Sequence, residues 1–346
     1  MPKVAIIILV YNGEKYLLDL LPSLKRQDYP EESCQIILVD NNSQDKSAEY
    51  IKNNFPQFVF IPNQKNKGFA KGNNIGIKYA LEESFDYLVL LNQDTAVEPN
   101  WLGELVKTIE KDEKIGAVQP MILFWDKKDK INSSGNAIHF LGFGFSEDFN
   151  QIKNLNQEER EISYASGAAV LFRAKALEEA GLFDENLFYS EDVDLGWRIR
   201  LAGYKIINAP RAEVFHKYSF SRNKDKYYFL EYGRIFTLLK NYEIFTLILI
   251  LPLLVFWEIG MIIYSFLKGW GNLKMKSYKD IFFSFTILIK KRREVQKMRK
   301  INDKEICKYI KGKINSNYED FKNPLFKLIN PFLNLYWRLV KFLIHL

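Results

Sequence analysis

Three carboxylates, Glu191, Asp192 and Asp194, fall within four positions where a helix is expected to begin. Acidic residues in a first helical turn complement the partial positive charge of that helix end, which is one sufficient reason for them. The other reason is chemical, since a single outward carboxylate at a loop-to-helix junction is well placed to act as a general base. Glu191 and Asp192 are adjacent and point in different directions, so one of the two is singled out for that work. Asp40 and His216 each close a short apolar run, and Asp94 follows the run 87–91 in the polar Asn92-Gln93-Asp94. A lone histidine at a strand end is ordinarily a surface or hydrogen-bonded residue. Its alternative is a ligand for metal or phosphate facing Asp94.

These residues need a scaffold that gathers strand ends. Val4–Val10 is a continuous apolar run, followed by an amphipathic stretch to about Leu24. Further strands are expected at 35–40, 58–61 and 87–91, with a polar stretch at 41–47 and helical patterns from there to Asn54, through Leu81 and at 99–111. Continuous rather than alternating apolar strands between helices argue for a parallel sheet covered on both faces. Ligands of such sheets collect beyond the carboxyl ends of the strands. Tyr11-Asn12-Gly13-Glu14, Asp40-Asn41-Asn42-Ser43, Asn92-Gln93-Asp94 and the 66–76 segment all fall on that edge. Any one of them is also ordinary turn chemistry; four on one rim point to a binding cleft.

The second half opens with a strand at 115–124, a charged loop at 126–130 and a Gly-rich hairpin at 133–145. The small-residue run 163–172 lets a backbone or ligand approach closely near Gly167. A helix at 175–180, the turn Gly181-Leu182-Phe183-Asp184 and the acidic helix follow, then short strands at 205–210 and 213–216. No G-x-G-x-x-G follows the first strand and no G-x-x-x-x-G-K-[ST] occurs anywhere, which disfavours a dinucleotide oxidoreductase or a P-loop NTPase. A bound diphosphate would need other neutralisation, and Asp94 bridging through Mg²⁺ or Mn²⁺ is one candidate.

Charge is distributed unevenly along the 346 residues. Residues 270–346 hold 18 Lys/Arg against 6 Asp/Glu, while the rest hold 31 against 36. A basic tail behind an acidic body suggests contact with phospholipid headgroups or nucleic acid. No nucleic-acid module is recognisable, and the basic residues are interleaved with apolar ones, so a membrane surface is favoured. The two cysteines, Cys34 and Cys307, lie far apart and suit a reducing compartment. The N-terminal apolar run is too short and lacks the cleavage site of a signal peptide.

Residues 244–267 are apolar except for Glu258 and long enough, at ~1.5 Å rise per residue, to cross a ~30 Å hydrocarbon core. A simple span conflicts with the positive charge that follows at 290–293, which would place the acidic body outside the cell. A re-entrant or interfacial hairpin kinked at Pro252 is expected instead, with both flanks cytoplasmic and Glu258 facing protein or headgroups. Near the C-terminus, Lys327, Asn330, Asn334, Arg338, Lys341 and His345 recur at helical spacing opposite a wide apolar face that carries Tyr336 and Trp337. This pattern suits an interfacial membrane helix, or alternatively a helix joining copies of the chain.

Taken in order, these stretches resemble glycosyltransferase family 2 with the GT-A fold, an α/β architecture with a Rossmann-like, mostly parallel central sheet flanked by helices. The marks are Val10-Tyr11-Asn12-Gly13-Glu14, Val39-Asp40-Asn41-Asn42-Ser43-Gln44-Asp45, the Asn66–Gly76 run and Asn92-Gln93-Asp94. They continue with Ser166-Gly167-Ala168-Ala169, Gly181-Leu182-Phe183-Asp184-Glu185, Glu191-Asp192-Val193-Asp194-Leu195 and His216. The match covers roughly residues 3–240 and looks most like the rhamnosyltransferase-like branch.

The resemblance implies a nucleoside-diphosphate sugar donor (dTDP-rhamnose or a UDP-sugar) and a lipid-linked or growing surface-polysaccharide acceptor. The enzyme would be inverting and would work at the cytoplasmic face of the cell membrane. A nucleotide-sugar half would occupy about 1–115, an acceptor half 116–240, and a helical membrane-associating region 241–346. Tyr11 and Asp40 would hold the nucleotide base, with Val10, Glu14, Asn66, Gly68, Asn73 and Asn92 on the same rim. Asp94 would be the last acid of a D-x-D metal motif, joined by His216. Asp192 would be the base, with Gly167, Glu191 and Trp197 on the acceptor side. Asn92 replaces the first acid of D-x-D, so dependence on a divalent cation is open. The absent Q-x-x-R-W signature implies one sugar per binding event. The alternative function is a non-catalytic nucleotide- or glycan-binding scaffold at the membrane.

Overall fold

The computed structural model describes residues 1–154, 156–218, 224–315, 317 and 324–346, with side chains of the last stretch from 328 onward. The first half alternates β1 (Val4–Val10), α1 (Glu14–Lys25), β2 (Cys34–Asp40), α2 (Ser47–Asn54), β3 (Val59–Pro62), α3 (Phe69–Glu82) and β4 (Tyr87–Leu91). β5 (Thr95–Val97), α4 (Trp101–Ile109) and β6 (Ile115–Phe124) follow. Next come the short strands β7 (Ile131–Ser133), β8 (Asn136–His139), β9 (Gly144–Ser146) and β10 (Arg160–Glu161), then β11 (Ala169–Arg173), α5 (Ala174–Ala180), α6 (Glu191–Leu201) and β12 (Lys205–His216). The remainder is helical: α7 (Asp225–Asn241), α8 (Ile244–Leu267), α9 (Gly271–Phe283), α10 (Phe285–Met298), α11 (Asp303–Ile306) and α12 (Pro324–His345), with one strand, β13 (Ile310–Lys311).

The main sheet runs β10-β12-β6-β11-β4-β1-β2-β3. The β12–β6, β4–β1, β1–β2 and β2–β3 pairs are parallel, while β11 runs antiparallel between β6 and β4. β1 shows why its sequence is apolar throughout. Ile6 and Ile8 pack on one face with Leu17 and Leu20 of α1 and Trp101 of α4, whereas Ala5 and Ile7 pack on the other with Ile77 of α3. Both faces are covered, so no position is left for a polar residue.

α3 lies so close to β1 that its glycines are required. A Cβ on Gly72 would stand 2.4 Å from Leu9 Cδ1, and one on Gly76 2.4 Å from Ile7 Cγ2. The two strands expected at 205–210 and 213–216 are one strand. Its pairing with β6 jumps from Ala209–Pro120 to Glu213–Met121, a bulge that includes Pro210.

The C-terminal helices share a core with the second half. Phe140, Trp197 and Tyr242 pack with Ile250 and Leu253 of α8 and Leu333, Trp337 and Val340 of α12. Trp337 stacks on Phe140 with ring centroids 5.1 Å apart and donates Nε1–H to the Ile310 carbonyl; Tyr336 donates to the Leu249 carbonyl. Both aromatics therefore face protein rather than the exposed apolar side expected for them, because the 310 strand and α8 offer acceptors there. Asn330 of the expected polar stripe likewise pairs with the Ile314 backbone. Lys327 lies outside the described side chains. The exposed face of α12 is instead Leu328, Phe332, Leu335, Leu339 and Phe342.

Candidate active site

The polar rim forms where β1, β2 and β4 end side by side. Asn12 and Asn42 both adopt positive φ, a left-handed conformation that asparagine tolerates, and so turn the chain sharply out of β1 and β2. The turns are cross-tied. The Asn12 N–H donates to Ser43 Oγ, and the Gln44 N–H donates to Asn12 Oδ1. Gln93 clamps the ends of β1 and β4 together: the Tyr11 N–H donates to Gln93 Oε1 at 2.9 Å, and Gln93 Nε2 donates to the Tyr11 carbonyl at 3.1 Å. Tyr11 keeps its ring exposed. Asp40 is buried and accepts from the Ser43 N–H.

Several residues expected on the nucleotide rim also tie the loops together. Val10 is fully buried, and its carbonyl accepts from the Asn41 N–H. Asn66 Oδ1 accepts from Asn41 Nδ2 and from the Gly68 N–H, while Asn41 Oδ1 accepts from the Lys67 N–H. Asn41 thus organises the loop into α3, with Gly68 at φ +77° as its N-cap. Asn73 is buried and spends its amide on the Phe69 carbonyl one turn back. Glu14 opens α1, its N–H donating to Asp45 Oδ2.

Beyond β4, Asp94 and His216 come together. Pairing of β5 with the end of β12 sets Thr95 opposite His216, leaving Asp94 Oδ1 3.3 Å from His216 Nε2. The other ring nitrogen lies 3.0 Å from Asn132 Oδ1, which fixes the imidazole plane. No group of three or more Asp, Glu, His or Cys side chains is disposed to hold a metal ion among the described residues. One carboxylate and one imidazole would nevertheless suit a hard or borderline cation if substrate phosphate oxygens and water supplied the remaining ligands. Asn92 supplies no carboxylate; its N–H donates to the Ala168 carbonyl, tying the Asp94 turn to the loop that carries Gly167.

Gly167 completes the link to α6. Its N–H lies 3.5 Å from Asp192 Oδ2, and the Val193 N–H donates to Asp192 Oδ1 at 2.8 Å. Burial raises the Asp192 carboxyl above the ordinary carboxylate range, against the pull of those two N–H groups. Burial and then the neighbouring Asp192 charge push Glu191 up as well. Glu191 is buried, with Oε2 lacking a protein partner. Trp197 does not line this site. Five residues past Asp192, roughly 140° around a helix of 3.6 residues per turn, it is buried in T-shaped contact with Tyr242.

Sequence reasoning missed the network beneath α6. Arg198 donates to Asp194 and to the carbonyls of Ala180, Gly181 and Leu182, and Lys240 of α7 sits between Asp184 and Asp194. The repeated acids around Gly181–Glu185 and Glu191–Leu195 hinted at it; nothing near Lys240 did.

A family model, "Glycosyl transferase family 2", matches residues 5–181, half of the chain. The chain belongs to glycosyltransferase family 2. Curated relatives in the family include poly-beta-1,6-N-acetyl-D-glucosamine synthase of Staphylococcus epidermidis, 29% identical over 214 residues, and of Staphylococcus aureus, 28% identical over 215. Each match takes in 60% of this chain and 48% of the relative, so the chain spans about half the length of the curated relatives it matches.

Among solved structures, GalNAc-T7 with UDP, GalNAc and Mn²⁺ superposes with a TM-score of 0.53 at 20% identity, covering 64% of this chain and 44% of that one. S. aureus TarS 1-349 in complex with UDP-GlcNAc gives 0.51 at 16%, covering 98% and 90%. These likenesses show the fold: GT-A, with a mostly parallel sheet flanked by helices and a C-terminal helical region holding one long apolar helix.

Proposed function

We propose that this chain is an inverting glycosyltransferase that moves one sugar per binding event from a nucleoside-diphosphate sugar to a glycan acceptor at a membrane surface. The observation that carries the proposal is Asp192, a base with a raised proton affinity at the start of α6, joined through Gly167 and the Ala168–Asn92 hydrogen bond to the Asp94–His216 pair. In the reaction an acceptor hydroxyl attacks the anomeric carbon, Asp192 takes the hydroxyl proton, and the nucleoside diphosphate departs from the opposite face. A positioned base contributes ~10²–10⁴-fold. Asp94 and His216 would hold a divalent cation, which would supply stabilisation of charge on the departing diphosphate. Tyr11 and Asp40 would receive the base.

The relatives' poly-N-acetylglucosamine synthase activity and the UDP-GlcNAc complex of TarS favour a UDP-linked N-acetylhexosamine donor over the dTDP-rhamnose suggested by the motifs. A lipid-linked or growing surface polysaccharide remains the acceptor class. Membrane attachment is supported by α8, which is 24 residues long and 17% buried in its most apolar window. The helical excursion leaves and returns on one side: Glu243 before α8 pairs with Asp303 after α10, and the Lys300 N–H donates to the Leu201 carbonyl. That favours a helix lying in the membrane surface over a span. Glu258 at its middle is tied to Arg234 and Lys274.

Thermal protection by UDP-GlcNAc, UDP-hexoses, GDP-mannose and dTDP-rhamnose, each with Mn²⁺ or with chelator, tests this reading. One donor should protect, and Asp94→Asn should abolish the cation-dependent part of that protection. Protection by none of them would overturn the transferase reading in favour of a scaffold, for which Asn92 in place of the first acid of D-x-D speaks.

A further inference from the structure

A groove of about 500 Å³ lies between the loop entering α3, the turn before α6, helix α7 and the end of α9. We infer that it binds the distal sugars of an uncharged glycan acceptor; this rests on the transferase reading above and names the acceptor class. The groove starts beside the base. Phe69 forms its inner wall, and the Phe69 ring approaches to 3.4 Å the place where a Cβ on Gly167 would stand, with Asp192 Cβ 3.8 Å away from it.

The walls then continue as aromatic rings from separate elements. Phe188 precedes α6 and lies 4.9 Å, centroid to centroid, from Phe229 of α7; Tyr232 stands one turn further along α7. Phe188 is held out by an unusual backbone. Tyr189, a bulky non-glycine residue, adopts φ +66°, and its ring meets Phe188 edge-on at 4.6 Å. Holding a tyrosine in that region costs energy, and such strain concentrates at functional sites. Here it presents two rings that stay more than a third exposed, three and four residues before Asp192.

The charge of the groove identifies its occupant. Lys67 and Lys71 are balanced by Glu185 and Asp280; Lys71 pairs with Glu185 at 3.0 Å, and Asp280 accepts from Tyr228 at 2.7 Å. A lipid phosphate would meet no net positive charge. Sugars instead present apolar C–H faces to rings and hydroxyl rims to carboxylates and amides, which is what this lining offers.

Calorimetric titration of the full chain, saturated with UDP and Mn²⁺, with N-acetylglucosamine and its oligomers of increasing length tests the assignment. Affinity should rise with length. Phe229→Ala and Phe188→Ala should each weaken the longest oligomer roughly two- to tenfold, and Phe229→Tyr should restore it. UDP affinity is the control for folding. No dependence on length, or a dependence that survives both alanine variants with UDP affinity intact, overturns the groove while leaving the transferase reading standing. Failure of every nucleotide sugar to bind, with oligomer binding preserved, sinks the transferase reading alone. Tighter binding to vesicles containing polyprenyl phosphate than to any oligomer, lost in Phe229→Ala, would make the occupant a lipid and overturn the assignment.

Discussion

Lys240 of α7 holds its ammonium 2.8 Å from Asp194 Oδ1, two residues past the proposed base. The same ammonium lies 2.7 Å from Asp184 Oδ2, so one buried cation joins α7, α6 and the turn that leads into α6. Burial pushes both carboxyls upward, but Lys240, with Arg198 acting on Asp194, outweighs it and leaves both below the ordinary range.

Lys240→Met should therefore leave Asp184 buried without a cation and Asp194 with Arg198 alone, and cost about 3–5 kcal/mol in urea unfolding. Depressed folded-state values mean that the stability these acids contribute is present above the unfolded carboxylate value of ~3.9. It is lost as pH falls through the folded values. The difference between wild type and Lys240→Met should accordingly shrink towards strongly acidic pH. A difference independent of pH would assign Lys240 a packing role only.

Glu191 and Asp192 carry the opposite sign. Their raised values mean that whatever stability they contribute is full below the unfolded carboxylate value and is lost as pH rises through the folded one. Glu191→Gln should thus raise the melting temperature near pH 8 and leave it nearly unmoved near pH 4. Asp192→Asn should lower kcat by roughly 10²–10⁴ while preserving nucleotide affinity. The wild-type rate should fall on acidification at a pH above the ordinary carboxylate range, since the base must be ionised to accept a proton. Retained turnover in Asp192→Asn would remove that residue from the role.

Packing of α3 on β1 makes Gly72→Ala and Gly76→Ala costly. Each new methyl meets a fully or largely enclosed aliphatic side chain at 2.4 Å, so a loss of about 1–3 kcal/mol is expected in denaturant unfolding. Gly260 in α8 has nothing within 4 Å of its absent Cβ. Gly260→Ala should be neutral or stabilising by about 0.5–1 kcal/mol. Equal effects at all three positions would contradict the close approach.

The proposed membrane attachment through the outward faces of α8 and α12 can be tested without touching the core. Phe256 is 72% exposed and Leu335 66%. Phe256→Glu together with Leu335→Glu should reduce co-sedimentation with anionic vesicles, with the unfolding midpoint held. If apolar area rather than surface charge makes that attachment, salt alone should release less protein than these two substitutions. Full release by salt in the wild type would shift the attachment to the basic residues.

The C-terminal basic run illustrates what sequence leaves open. Lys290-Lys291-Arg292-Arg293 belongs to the basic tail read as meeting headgroups, yet Arg292 donates to the Leu239 and Tyr242 carbonyls and Gln296 to the Lys240 carbonyl, closing the end of α7. Only the folded chain separates a capping arginine from its solvent-facing neighbours.

The sequence by itself determined the sheet, its polar rim and the order of the motifs, because each follows from local pattern: apolar runs covered on both faces, asparagines and glycines at sharp turns, acids at a helix start. It also placed Asp94, His216 and Asp192 on elements whose ends share one edge. Tertiary structure decided which of the remaining residues face that edge. Trp197 is turned into the core by the helical repeat, while Asn66 and Asn73 make loop and helix hydrogen bonds. Lys240 and the aromatic groove depend on α7 and α9 folding back over residues far away in the chain. Contacts of that range leave no periodicity in a linear sequence, since they arise only when distant elements compete for the same buried charge and the same apolar surface.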